Sequence, residues 1–198
     1  MRRLAASMAV VVAALSFGIV AATAAEVRPT LVAHSPWMKS CPKNSGTEPR
    51  TICSTSYEVW SKVDRSLVAA VAIIEPEDGK RILRVTFPLG VQVAHGTRLI
   101  IDRDDPQRRP YLACSASGCV SEYDAGPEMI DGMKSGQILF VQAIDTSGAP
   151  LTVRLPLTDF AAAYDGPPLE PRRMELLRRK AKYWYDDTLL PGLRPRAD

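Results

Sequence analysis

Histidine is scarce in this chain: His34 and His95 are the only two among 198 residues. There is no His-x3-His or His-Glu-x2-His pair to seat a metal, and no Gly-x-Ser-x-Gly elbow to present a serine nucleophile. Glycine-rich phosphate cradles are missing as well. An enzyme needs a nucleophile, a base or a metal held in geometry. The residues present supply none in a recognisable arrangement, so the chain is read as non-enzymatic and without a cofactor. A carboxylate-dependent hydrolase is the exception that leaves no trace in sequence, because two acids can meet in space from distant positions. Asp102-Arg103-Asp104-Asp105 lacks the ligand spacing of a calcium loop, and Arg103, Arg108 and Arg109 would neutralise it. A solvated hairpin loop is the better reading.

Long apolar runs are also lacking, except at the N-terminus. Met1-Arg2-Arg3 precedes an apolar stretch from Leu4 to Ala22 that holds no acidic residue. This is the charge-then-apolar order of a secretory signal, and Ala22-Thr23-Ala24-Ala25 offers the small residues of a cleavage site. Cleavage is expected after Ala25 or one residue earlier, by the general secretory route. A retained anchor is the rival reading, since the run is near the lower length for spanning a bilayer. Its alanine-rich composition favours removal. Taking 25 residues from 198 leaves 173, enough for one domain with an appendage. The formal charge of +3 then falls to about +1, too near neutral for nucleic acid to be the main partner. Residues 26–165 hold fifteen basic and seventeen acidic side chains; residues 166–198 hold eight and five.

All four cysteines, Cys41, Cys53, Cys114 and Cys119, lie beyond the signal. An even number in an exported chain implies disulfides. Three pairings are open, and local spacing favours Cys41 with Cys53 and Cys114 with Cys119. A zinc site fits poorly, because Cys-x11-Cys and Cys-x4-Cys are not the usual knuckle spacings.

Residues 26–36 read as a loose lead-in, and the segment between Cys41 and Cys53 as a surface loop tied at its neck. Strands are expected at Tyr57–Val63, Ser66–Ile74, Arg81–Phe87, Thr97–Asp102, Tyr111–Cys114, Cys119–Tyr123, Gln137–Ile144 and Leu151–Leu155. Glu75 to Gly79 forms a hairpin turn that pairs the second and third of these antiparallel, with Asp78-Gly79 able to adopt positive φ. Leu83, Val85 and Phe87 share one face, as do Leu99 and Ile101. Arg103–Pro110 reads as a charged loop. Gly126–Lys134 is expected to form a short helix, and Thr158-Asp159 to cap another over Phe160–Tyr164. Seven or eight short strands with turn signals about every ten residues indicate an antiparallel sandwich or barrel.

Gly166-Pro167-Pro168 marks a boundary. Beyond it, Glu170–Tyr185 reads as a helix with Met174, Leu177, Ala181 and Trp184 in one stripe, and Leu189–Asp198 as a frayed end. Arg172, Arg173, Arg178, Arg179, Lys180 and Lys182 make this extension basic. Such a helix either meets an anionic membrane surface or an acidic partner through its cations, or docks its stripe on the domain. Docking is favoured, because amphipathic helices mostly bury their stripe in their own fold.

Several motifs run in order through the chain: Trp37-x3-Cys41, then Cys53, then Phe87-Pro88-Leu89-Gly90-Val91, Gly96 and Leu99-Ile100-Ile101-Asp102. Tyr111-x2-Cys114-x3-Gly118-Cys119-Val120, Met133-Lys134-x-Gly136 and Leu155-Pro156-Leu157-x2-Phe160 follow. In this set the chain resembles the invasion-associated locus B family of bacterial exported proteins, across about residues 37–165. The resemblance implies a mainly β, immunoglobulin-like antiparallel β-sandwich with a short helix, in the periplasm or outer cell envelope. It implies, for some members, an association with host-cell entry; taken with export, the disulfides and the strand pattern, it leads to the expectation of protein binding, to an envelope or host protein. It carries over no catalytic, cofactor or metal residue, only the four cysteines as disulfide partners. The expected organisation is a signal peptide over 1–25, the sandwich over 26–165 and the basic helical extension over 166–198. A periplasmic small-ligand carrier or a carboxylate-dependent hydrolase is the alternative.

Overall fold

A computed structural model describes residues 25–26, 32–43, 51–77 and 79–183. Its elements, in chain order, are β1 (Ala25–Glu26), β2 (Val32–His34), β3 (Met38–Ser40), β4 (Ile52–Ser61), β5 (Leu67–Pro76) and β6 (Ile82–Phe87), then β7 (Thr97–Ile101), β8 (Gln107–Arg109), β9 (Ala113–Ser115) and β10 (Gly118–Asp124). Next come α1 (Pro127–Ser135), β11 (Ile138–Ile144), β12 (Pro150–Pro156), α2 (Phe160–Asp165) and α3 (Pro171–Tyr183). Two sheets form. One runs β1-β12-β11-β7-β8; the other runs β2-β4-β5-β6-β10-β9, with β3 also paired to β4. Every pairing is antiparallel except the two-residue contact of β1 with β12. This is the antiparallel β-sandwich that the turn spacing and the resemblance indicated.

Alternation drives the layering, because successive strand side chains point to opposite faces. In β6, Leu83, Val85 and Phe87 are fully buried, whereas Arg84 points outward and pairs with Glu122 of β10 at 2.6 Å. β5 lies antiparallel to it with Val71 opposite Val85 and Ile73 opposite Leu83. The other sheet contributes Leu99, Ile101, Leu139, Val141, Val153 and Leu155 to the same core, and α1 closes one side with Met129, Ile130 and Met133. Thr97 of one sheet and Tyr123 of the other share a buried hydroxyl–hydroxyl hydrogen bond of 2.7 Å.

Trp37, between β2 and β3, joins three elements. Its ring lies 4.9 Å from Tyr57 of β4 and 4.9 Å from Phe160 of α2. Its indole N–H donates to the Pro156 carbonyl at the end of β12, at 2.8 Å. Tyr164 extends this packing. Its hydroxyl donates to Glu75 at 2.5 Å, and Lys39 donates to its backbone carbonyl at 2.6 Å.

Several expectations need correction. Residues 32–34 are not a loose lead-in: β2 pairs with β4 and buries Val32 and Ala33. The expected charged loop at 103–110 contains β8, whose three side chains are all exposed. A polar edge strand has backbone ladder bonds without apolar periodicity, so it leaves no hydrophobic signal. β4 begins at Ile52, five residues before the alternation becomes visible, and β5 continues through Pro76. Gly79 does adopt positive φ (83°), while Asp78 lies outside the described residues. Asp159 does not cap α2 with its side chain; its backbone carbonyl accepts the Ala163 N–H instead, at 3.0 Å. The expected signal peptide, residues 44–50 of the Cys41–Cys53 loop, Trp184 and the C-terminal end lie outside the described residues, Ala25 apart.

Two measurements test this core. Trp37→Phe keeps a ring but leaves the Pro156 carbonyl without its donor, and is expected to cost about 1–2 kcal/mol in urea unfolding. Trp37→Ala also opens a cavity against Tyr57 and Phe160 and is expected to cost about 3–5 kcal/mol. The second test is pH. Burial, and then the charge of Asp159, push the Tyr57 phenol up to about 12, and burial, then Tyr123, do the same for Tyr111. Burial also raises Tyr123 and Tyr164. The unfolded chain ionises its phenols near pH 10 while the folded one keeps them neutral. Stability is therefore expected to hold below pH 10 and to fall as pH rises from 10 to 12. Urea midpoints unchanged across that interval would contradict the burial of these hydroxyls.

Candidate functional site

The four cysteines form two disulfides, Cys41–Cys53 and Cys114–Cys119, each with Cα atoms 4.0 Å apart. Strand register explains the second: Cys114 of β9 stands directly opposite Cys119 of β10. The hairpin depends on Gly118, whose φ is +119° and whose added Cβ would fall 2.4 Å from the Phe87 carbonyl oxygen. The chain-entropy model assigns about 3 kcal/mol to the loop of separation 12 and about 2 kcal/mol to that of separation 5. No free thiol remains among the described residues. The cysteines brace the fold rather than create a reactive centre.

The other sequence candidates are scattered. Asp102, with φ of 49°, turns its carboxylate onto the backbone N–H groups of Gln137 and Ile138, at 3.1 and 2.8 Å. It holds the start of β11 instead of facing a cation. His95 ends a short 3-10 turn, and His34 lies on β2. The His34 ring packs 5.8 Å from Tyr57, and desolvation, then Lys62, hold its pKa below the ordinary value. Among the described residues no three His, Cys, Asp or Glu side chains come together.

Charge is distributed more tellingly. Strands β7, β8, β11 and β12 carry Arg98, Arg108, Arg109 and Arg154 and not one acidic residue. β1, at the far edge, holds Glu26. The opposite sheet mixes Glu58, Glu75, Glu122 and Asp124 with Lys39 and Arg84. On the arginine-bearing sheet, Arg109 leans back over the Tyr123 ring at 5.8 Å. Arg154 lies over Phe140 at 5.6 Å on the solvent face. Arg98 and Arg108 are direct cross-strand partners and line a depression of about 210 Å³ with His95, Gln142, Ile144 and Pro150. No sequence motif pointed to this pair, because ten residues separate the two arginines and only the β7–β8 register makes them neighbours.

A second groove, about 510 Å³, lies where α3 crosses β2; Val32, His34, Pro36, Lys62, Leu177 and Lys180 line it. The helix packs on β2 and β4. Ala181 is buried, and Met174 and Leu177 are partly covered, so the stripe does meet the domain. Arg178 donates to Glu58 at 2.9 Å, the same carboxylate accepts the Trp60 indole N–H at 3.2 Å, and Lys182 sits 5.0 Å above the Trp60 ring. Arg172, Arg173 and Arg179 are exposed. No helix among the described residues is long and apolar enough to cross a membrane.

These features define a disulfide-braced β-sandwich domain whose distinctive chemistry lies on its surface. The chain belongs to the invasion associated locus B family, whose model matches residues 37–168. The match includes both disulfides and leaves β1, β2 and α3 outside. Among solved structures, the chain is similar to the crystal structure of invasion associated protein B from Bartonella henselae, with a TM-score of 0.56 and 18% identity over 74% of this chain and 95% of that one. At that identity the likeness concerns the fold. No curated protein matches.

The seating of α3 is testable. Glu58 has only 13% of its side chain exposed, so Arg178→Ala removes an ion-pair partner from a largely buried carboxylate. The variant is expected to lose about 1–2 kcal/mol of stability and to be cut faster by trypsin at Arg172 and Arg173. Unchanged proteolysis would show that the ion pair does not hold the helix down.

Proposed function

We propose that the protein is an exported, non-enzymatic component of the bacterial cell envelope that acts by binding a protein partner with an acidic surface. The observation that carries this reading is the solvent face of the β12-β11-β7-β8 layer, where Arg98, Arg108 and Arg154 stand among the partly exposed Ile100 and Phe140 with no carboxylate on those strands. Arginine beside exposed aromatic and aliphatic surface is the composition that protein interfaces favour. The two disulfides support export, because such bonds persist outside the reducing cytosol. Family membership supports the envelope location and is in keeping with a link to host-cell entry, in which the partner would be a host surface protein. Neither of these two depressions is lined by an acid.

The test is site-specific photo-crosslinking in intact cells, with the crosslinker placed at Phe140 on this face and, for comparison, at Ala72 on the outer side of β5. Discrete adducts from Phe140 alone, from a protein processed after Ala25, are the expected result. An absence of adducts, or the same adducts from both positions, would overturn the assignment of this face.

A further inference from the structure

We propose that the depression between Arg98 and Arg108 is a seat for a tetrahedral oxyanion, the phosphate group of a monoester. Like charges directly opposite one another on paired strands destabilise a sheet, and Arg98 and Arg108 are such a pair. No aspartate or glutamate lines the depression. The acid next along the chain from it, Asp145, is committed to the Ser147 and Ala149 N–H groups, both at 2.9 Å. Arg98 Nε is buried and has no hydrogen-bond partner among the described residues. A buried donor without an acceptor carries the full cost of its lost hydration. An anion bridging the two guanidinium groups through their terminal nitrogens would remove the like-charge penalty.

The charge count selects the class of anion. Two arginines are matched by a phosphate monoester, which carries about −1.5 to −2 at neutral pH, whereas a carboxylate brings only one negative charge. The guanidinium fork also suits bidentate contact with phosphate oxygens. His95 and Gln142 add polar groups, and Ile144 and Pro150 provide an apolar wall for the organic part of the ester. The seat is preformed by Gly96. Its φ is +61°, and an added Cβ would lie 2.2 Å from the Arg109 carbonyl oxygen, so β8 runs tight against the start of β7. This inference does not rest on a protein partner, because it concerns direct binding by the purified chain.

The experiment is calorimetric titration of the processed, oxidised protein with inorganic phosphate, with sulfate, and with acetate at matched ionic strength. Saturable binding of phosphate or sulfate, at least about tenfold tighter than acetate, is expected. Arg98→Gln and Arg108→Gln are each expected to weaken it about tenfold or more, yet to melt no lower than the parent in phosphate-free buffer, since each relieves the like-charge pair. Phosphate and sulfate binding no tighter than acetate, or unaffected by both substitutions, overturns the proposal. Should a variant fail to fold, the Arg98 Nε–Hε resonance of the unmodified protein decides: a saturable shift with phosphate supports the seat, and no shift overturns it. Glucose 6-phosphate and dihexanoyl phosphatidate then separate a sugar from a lipid carrier, and binding of neither overturns the monoester assignment.

Discussion

Trp37 is the residue on which the two layers and α2 close. Its ring fills the space between Tyr57 and Phe160, and its N–H reaches the carbonyl that ends β12. The sheet carrying Tyr57 and the sheet carrying Pro156 are thus held by one side chain at this corner. A polar bond across a packed aromatic cluster fixes distance and orientation together, which burial alone does not. Thr97 and Tyr123 repeat the device elsewhere in the core with two hydroxyls.

This gives the sequence motifs a physical meaning. Trp37-x3-Cys41 and Leu155-Pro156-Leu157-x2-Phe160 lie far apart in the chain but meet at that corner. Phe87-Pro88-Leu89-Gly90-Val91 carries the chain out of the larger sheet: Phe87 pairs with Cys119, and Val91 bridges to Asp145 beyond β11. Gly118 lies so close to the Phe87 carbonyl that no side chain fits. Asp102 and Met133-Lys134-x-Gly136 meet at the start of β11, where the Asp102 carboxylate holds two backbone N–H groups and Gly136 approaches Ile101. The residues that mark the family are thereby accounted for as determinants of the fold.

That division explains what was legible. The strands with clean apolar alternation, β6, β7 and β11, lie within a residue or two of where the pattern placed them; their spacing indicated a sandwich or a barrel, and the family resemblance selected the sandwich. β2, β3 and β8 carried no such pattern: two are only three residues long on the edge of β4, and the third is Gln-Arg-Arg. The arginine pair was hidden for a related reason. Arg98 and Arg108 sit in segments read as a core strand and a solvated loop, and only pairing register reveals that their charges confront one another. Helix α3 is a mixed case: Met174, Leu177 and Ala181 of the expected stripe are covered, Trp184 lies outside the described residues, and Arg178, expected off the stripe, also reaches the domain through Glu58.

The arrangement of the sheet margins carries a consequence for association. Open strand edges are templates for adding further strands, and this fold leaves none of its four plain. One ends in the two-residue β1, and another in β8, a strand two-thirds arginine. The β2 side lies under α3. The fourth edge, β9, is held in place by the Cys114–Cys119 bond. Reduction of that bond would leave β9 held by its three ladder positions alone, a weaker guard over the longer β10. Oxidation at this hairpin thus guards against aggregation as well as unfolding.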